Sequence, residues 1–197
     1  MANDQPLTKE AILEAAEQVL RRYGPEKTSV VDVAKALQVS HGTLYRHFPS
    51  KAALREAVTE RWLLRIAGPL QEKANQSGGS AAQRLRSWLQ ALIDSKRKSV
   101  IEDPEMFGMY SAVTLEAVDM ITEHVQLLIQ QMTHIIEAGV RTREFRSGQP
   151  EAMAKAIFMA TSRFHHPAYA YEWSSATIDQ EFDLVWDLIL TGIAGGK

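Results

Sequence analysis

Apolar side chains recur at three- and four-residue steps along almost the whole chain, and nowhere do they alternate strictly with polar ones over the length of a strand. A period near 3.6 buries one face of a helix whereas a strand needs a period of 2, so the pattern predicts an all-α fold. Thr8 is placed to cap a first helix that buries Ile12, Ala15, Ala16, Val19 and Leu20 and stops at Tyr23-Gly24-Pro25. Ser29, with Asp32 three residues on, has the form of a capping box opening a short helix through Leu37. Ser40 caps a very short third helix over 41–47, which Pro49-Ser50 stops. A fourth helix then runs from Lys51 to about Ala67, where Gly68-Pro69 should kink or end it. Gln76-Ser-Gly-Gly-Ser80 marks a loop. Beyond it come a stripe of Leu85, Trp88, Leu89, Leu92 and Ile93, a short apolar piece after Asp103-Pro104, and a long helix from Val118 to about Arg143. A helix opened by Pro150 and a last helix stopped by Gly195-Gly196 complete a count of about nine, with no internal repeat.

Composition narrows the class. A chain of 197 residues, 45% hydrophobic and 23% charged, suits a soluble globular protein. Without cysteine there is no disulfide framework, thiolate nucleophile or sulfur-ligated metal. Residues 1–6 carry no basic leader region and no apolar run approaches a membrane span, so the expected location is cytoplasmic, with no membrane partner. No His-Glu-x-x-His, no Gly-x-Ser-x-Gly and no phosphate-cradling glycine loop is present; the expectation is a protein that is not an enzyme, with no cofactor and no metal. The net charge of −2 conceals a local excess: residues 40–65 hold Arg46, Lys51, Arg55, Arg61 and Arg65 against Glu56 and Glu60. By charge alone this is equally a solvated helix face.

The segment from Thr28 to Lys51 is the informative one. Two short helices joined by a tight turn, with a third packed across them, allow one helix to project into a DNA major groove. Val30, Val33, Ala34, Leu37, Val39, Leu44 and Phe48 have the spacing of the small core that fixes the helix angle. Ser40, His41, Gly42, Thr43, Tyr45 and His47 remain outward. The alternative is a plain helical bundle in which Tyr45 and Phe48 are both core; for Phe48 the core role is the expected one.

The run Val39-Ser-His-Gly-Thr-Leu-Tyr-Arg-His-Phe-Pro-Ser-Lys51, preceded by Asp32-Val-Ala34, resembles the DNA-binding domain of the tetracycline repressor (TetR) family of bacterial transcription regulators. The resemblance implies a helix-turn-helix domain over residues 1–50 and a helical regulatory and dimerisation domain over 51–197. It implies a homodimer on a palindromic double-stranded DNA operator, with the two short third helices in successive major grooves. Thr28, Ser29 and Lys51 match family positions that hold phosphate, and His47 is read as a further backbone contact. Thr43 and His41 then reach base edges, Gly42 admits the DNA backbone, Tyr45 meets a phosphate or thymine methyl, and Arg46 adds charge at the flank. Gln38 departs from the glycine the family often has in the turn, at a conformational cost if its φ is positive.

In the family the later helices surround a ligand pocket and the last two form a four-helix dimer interface. Ile157, Phe164, Phe182, Trp186 and Ile189 make a stripe suited to that interface, the alternative being the protomer's own core. Trp62, Trp88, Phe107, Met109, Tyr110 and Met132 are apolar pocket candidates, with Arg163, His165 and His166 as polar ones beside Pro167. Arg163 suits either an acidic ligand or a neighbouring acid, and adjacent helical histidines, about 100° apart, rarely meet one ion. The implied mechanism is a repressor released by a small-molecule effector; the alternative is a DNA-binding dimer controlled by a protein partner or by no effector.

Overall fold

A computed structural model describes residues 7–25 and 28–195; residues 1–6, read above for a leader, and Gly196, read as a helix stop, lie outside them. The described residues form nine α-helices and no β-strand: α1 Lys9–Tyr23, α2 Val30–Ala36, α3 His41–Tyr45, α4 Lys51–Asn75, α5 Ala81–Glu102, α6 Pro104–Val113, α7 Val118–Arg141, α8 Pro150–Ala160 and α9 Ile178–Ile193. Two 3₁₀ turns, Ser162–Phe164 and Pro167–Glu172, lie between α8 and α9. No helix among these residues is long and apolar enough to cross a membrane.

Side-chain caps set the first boundaries where the sequence places them. The Thr8 hydroxyl accepts from the Ala11 N–H at 3.1 Å, and Gly24, at φ 81°, closes α1 by donating its N–H to the Leu20 carbonyl at 2.7 Å. Ser50 accepts from the Ala53 N–H at 3.0 Å and starts α4. Two helices end differently from expectation. α4 continues through Gly68-Pro69 to Asn75. Gly68 and Pro69 face solvent while Ile66, Ala67, Leu70 and Ala74 on the same helix are buried, and that burial offsets the hydrogen bond the proline removes. α8 stops at Ala160, so Phe164 sits in a 3₁₀ turn rather than on the helix.

The chain divides into two compact units, Met1–Trp62 with Glu102–Met120, and Leu63–Ile101 with Ile121–Lys197. The expected boundary after residue 50 falls inside the first unit, because α6 packs there. Arg21 of α1 forms an ion pair with Asp103 at 2.9 Å, and the Trp62 ring of α4 lies 5.3 Å from Tyr110 of α6.

The second unit is fastened at one corner just beyond α7. The Glu144 carboxylate accepts from the N–H groups of Ala81 and Ala82 at 2.7 and 2.8 Å, satisfying the start of α5. Burial pushes the Glu144 carboxyl up, but the two N–H groups, the Ser80 side chain and the Arg84 charge together hold it below its ordinary range. The next residues bond the end of α9: Arg146 N–H donates to Ile193 and Gly195 N–H to Glu144, each at 2.8 Å. Phe145 is buried against Gly139, where a Cβ would lie 2.3 Å from the Phe145 ring and 2.8 Å from the Ala81 Cβ. Gly139→Ala should therefore cost about 2 kcal/mol of unfolding free energy, read as a lower urea midpoint by circular dichroism.

Candidate functional site

Neither α2, with seven residues, nor α3, with five, has the length to persist alone. They are held by a small shared core. Val33, Ala34 and Leu44 are completely buried, and Val30 and Phe48 nearly so, while Leu37 and Val39 are half-buried at the rim. Between the helices Gln38 adopts φ 56°, the left-handed turn conformation, and donates its N–H to the Lys35 carbonyl at 3.1 Å. Ser40 caps α3, accepting from the Thr43 N–H at 3.2 Å, and its hydroxyl meets the Thr43 hydroxyl at 2.8 Å. The Arg46 guanidinium reaches the same Thr43 hydroxyl at 3.5 Å.

This packing leaves one face of α3 open. Ser40, His41, Gly42, Tyr45 and Arg46 are exposed, and Thr43 and His47 half-buried; Tyr45 keeps 47% of its surface, so it is not core, whereas Phe48 is. A Cβ added at Gly42 would approach nothing closer than the Ser40 hydroxyl at 3.9 Å, so the protein interior does not demand glycine there. Lys51 is exposed at the start of α4. The two residues before α2 hold that helix in place. Thr28 is buried and donates its hydroxyl to the Gly24 carbonyl at 2.8 Å. Ser29 is engaged in a reciprocal capping box, its hydroxyl donating to Asp32 and accepting from the Asp32 N–H at 3.3 Å. Both hydroxyl protons serve the fold in the DNA-free chain.

The comparisons with known proteins agree with this geometry. Residues 12–58 match the model of bacterial regulatory proteins of the tetR family, and residues 81–186 match the tetracyclin repressor-like C-terminal domain. The chain belongs to the TetR family. Within it, the nucleoid occlusion factor SlmA of Vibrio atlanticus is 26% identical over 199 residues, covering 92% of this chain and 93% of that one. The HTH-type transcriptional repressor KstR2 of Rhodococcus jostii is 23% identical over 192 residues, with coverages of 93% and 89%. Among solved structures, SmeT, the repressor of the Stenotrophomonas maltophilia multidrug efflux pump SmeDEF, superimposes with a TM-score of 0.67 at 18% identity, covering 95% of this chain and 91% of that one. FadR of Bacillus subtilis in complex with stearoyl-CoA gives 0.66 at 17% identity, with coverages of 94% and 100%. At such identities the structures establish the TetR fold. The chain is a DNA-binding regulator of that family.

The C-terminal candidates are arranged less simply. Trp62, Phe107, Met109 and Tyr110 are buried in the first unit, while Trp88 and Met132 are buried in the second, so the six do not line one site within either unit. Trp88 donates its indole N–H to buried Gln131 at 3.1 Å, and the Gln131 amide donates to the Ala67 carbonyl at 3.1 Å. Arg163 is exposed and its guanidinium is shared between Glu172, at 2.5 Å, and Glu181, the neighbouring-acid arrangement rather than a ligand clamp. His166 is exposed and caps its own turn by accepting from the Ala168 N–H at 3.2 Å, whereas His165 is buried beside Thr161 and the Phe158 ring. The two imidazoles therefore face different surroundings. The proposed interface stripe takes the core alternative. Ile157, Phe164, Phe182 and Trp186 are buried within the protomer and Ile189 is half-buried, since α9 turns that face inward to pack Phe182 on Phe164, with ring centroids 5.3 Å apart.

Sequence reasoning passed over Lys96 and His124, which the fold takes inside. Lys96 is 2% exposed and His124 8%. Burial lowers the Lys96 pKa to about 7. Burial and, secondarily, the Lys96 charge lower His124 and His165 to about 3.

Two outcomes follow for stability. At exposed Gln38 the left-handed turn favours glycine and disfavours β-branching, so urea melts should order Gln38→Gly above the parent and Gln38→Val below it, by about 0.5 kcal/mol or more per step. The unfolded chain takes up protons at His124 and His165 below about pH 6.5, which the folded chain refuses until about pH 3. Stability should therefore fall as pH drops from 6.5 toward 5, above the range where carboxylates titrate, and a His124→Asn, His165→Asn double variant should show a flatter urea midpoint over that interval.

Proposed function

We propose that the protein is a homodimeric repressor that binds a palindromic operator through two copies of α3 and leaves it when a small-molecule effector binds in the C-terminal region. The observation that carries the reading is the exposed face of α3, with hydrogen-bonding and aromatic groups on a helix whose opposite side is fully buried. His41 and Thr43 read base edges, Gly42 admits the DNA backbone, Tyr45 and His47 flank it, and Lys51 holds a phosphate near the start of α4. Arg46 braces Thr43 as well as adding charge. Thr28 and Ser29 contribute by holding α2 in place.

The dimer face in this reading lies on the outer side of α8 and α9. Met159, Leu184 and Leu188 keep 74%, 71% and 75% of their surface, and the two leucines stand one turn apart on α9. α4 passes without interruption from the first unit into the second, which supports it as the covalent route by which an effector shifts the reading heads. Pro69 makes that helix one backbone hydrogen bond short. Release requires that the effector bind the DNA-free arrangement more tightly than the bound one. A second reading, a DNA-bound dimer with no effector, is favoured by the full-length likeness to a nucleoid occlusion factor.

A gel-shift titration over several salt concentrations tests the DNA contacts. Thr43→Ala should relax discrimination among duplexes, costing about 1–3 kcal/mol on the preferred one. Lys51→Ala should weaken all duplexes alike and reduce the salt slope by about one. Unchanged duplex affinity in both variants overturns the assignment.

A further inference from the structure

The second unit encloses a cluster of basic groups that the DNA-binding reading does not use. Two hydrogen bonds fix its register. Glu144, just past the end of α7, bonds the first residues of α5, and Gln131 of α7 bonds Trp88 of α5, so the two helices run antiparallel. Lys96 lies eight residues beyond Trp88 and His124 seven residues before Gln131, which puts both at one level, about 11 Å along the helices from the Trp88–Gln131 pair. His165, on the segment after α8, is buried in the same unit, and the Lys96 charge adds to the burial that lowers both His124 and His165. The two helices therefore bring a buried lysine and a buried histidine to one level.

The two imidazoles are not equivalent. His165 meets the Thr161 hydroxyl at 3.3 Å and lies tilted against the Phe158 ring, with centroids 4.5 Å apart. His124 is more than nine-tenths buried, and its Nε2 has no hydrogen-bond partner among the described residues. A buried polar atom left in that state costs stability, and a ligand group that satisfies it recovers the loss. The Lys96 ammonium repels a cation at this point and attracts an anion. Between this level and Trp88, α5 presents buried Leu92 and Ile93, and α7 presents buried Leu128. Those intervening side chains are hydrocarbon.

We propose that Lys96 and His124 form the head-group site for an organic carboxylate with an apolar body, the ammonium pairing with the carboxylate and the His124 Nε2–H donating to it. The assignment rests on the effector reading above and names the chemical class of that effector.

The test compares acids with their uncharged isosteres on the full-length protein. Octanoate and phenylacetate, with octanamide and phenylacetamide as controls, are titrated while the melting temperature is followed, together with a bacterial metabolite extract split on an anion exchanger into retained and unretained fractions. The acids and the retained fraction should raise the melting temperature, and the amides and unretained fraction should not. Lys96→Met, which keeps the side-chain length without the charge, should need at least tenfold more acid for the same shift. The comparison of acid with amide in the unaltered protein stands even if that variant folds poorly. Equal shifts from acids and amides, or a response confined to the unretained fraction, overturn the carboxylate assignment and leave the effector reading intact. No shift from any compound or fraction overturns both.

Discussion

A helix of five residues gains too little from its own hydrogen bonds to hold a shape, so every property of α3 is borrowed from what lies beneath it. Leu44 and Phe48 reach into the core made with Val33 and Ala34, and the Ser40 cap fixes where the helix begins. That anchoring gives His41, Gly42 and Tyr45 fixed directions although they are exposed. On the proposed mechanism the rest of the regulator depends on it, because an effector bound elsewhere would alter DNA affinity only by moving a reading head that is itself stiff.

The interior of the second unit treats polar groups in two ways. Gln131 is satisfied on both sides, by the Trp88 indole and the Ala67 carbonyl, and it ties α4, α5 and α7 together at one level. At the level of Lys96 and His124 burial depresses both pKa values instead, the mark of charged forms held away from water. Close packing with satisfied hydrogen bonds suits a structural joint; basic groups desolvated side by side suit a place whose energy changes when something negative arrives.

Much of this is legible in the sequence. The capping pair Ser29 and Asp32, the stop at Gly24, the core role of Phe48 and the turn cost at Gln38 follow from local chemistry, which the sequence states directly. What was not legible depends on which way a helix faces. The stripe of Phe182 and Trp186 reads equally as interface or core, and only the packing of α9 on Phe164 shows that it turns inward, leaving Leu184 and Leu188 outside. Thr28 and Ser29 have the right chemistry for phosphate, and only the fold shows that the Gly24 carbonyl and the Asp32 carboxylate take their protons in the DNA-free chain. Pro69 signals a break, but the buried side of α4 outweighs it. Lys96 was overlooked because lysine is ordinarily a surface residue. The clue was its position one turn past Leu92, on the apolar stripe.

The corner at Glu144 and Phe145 joins parts of the chain that are far apart in sequence: the start of α5, the end of α7 and the end of α9 share one set of hydrogen bonds and one buried ring. Fraying is normally the private affair of each helix terminus. Here none of the three can loosen without releasing the other two, so the region opens as a single latch, and the outer face of α9 stays in register with the helix that carries Lys96.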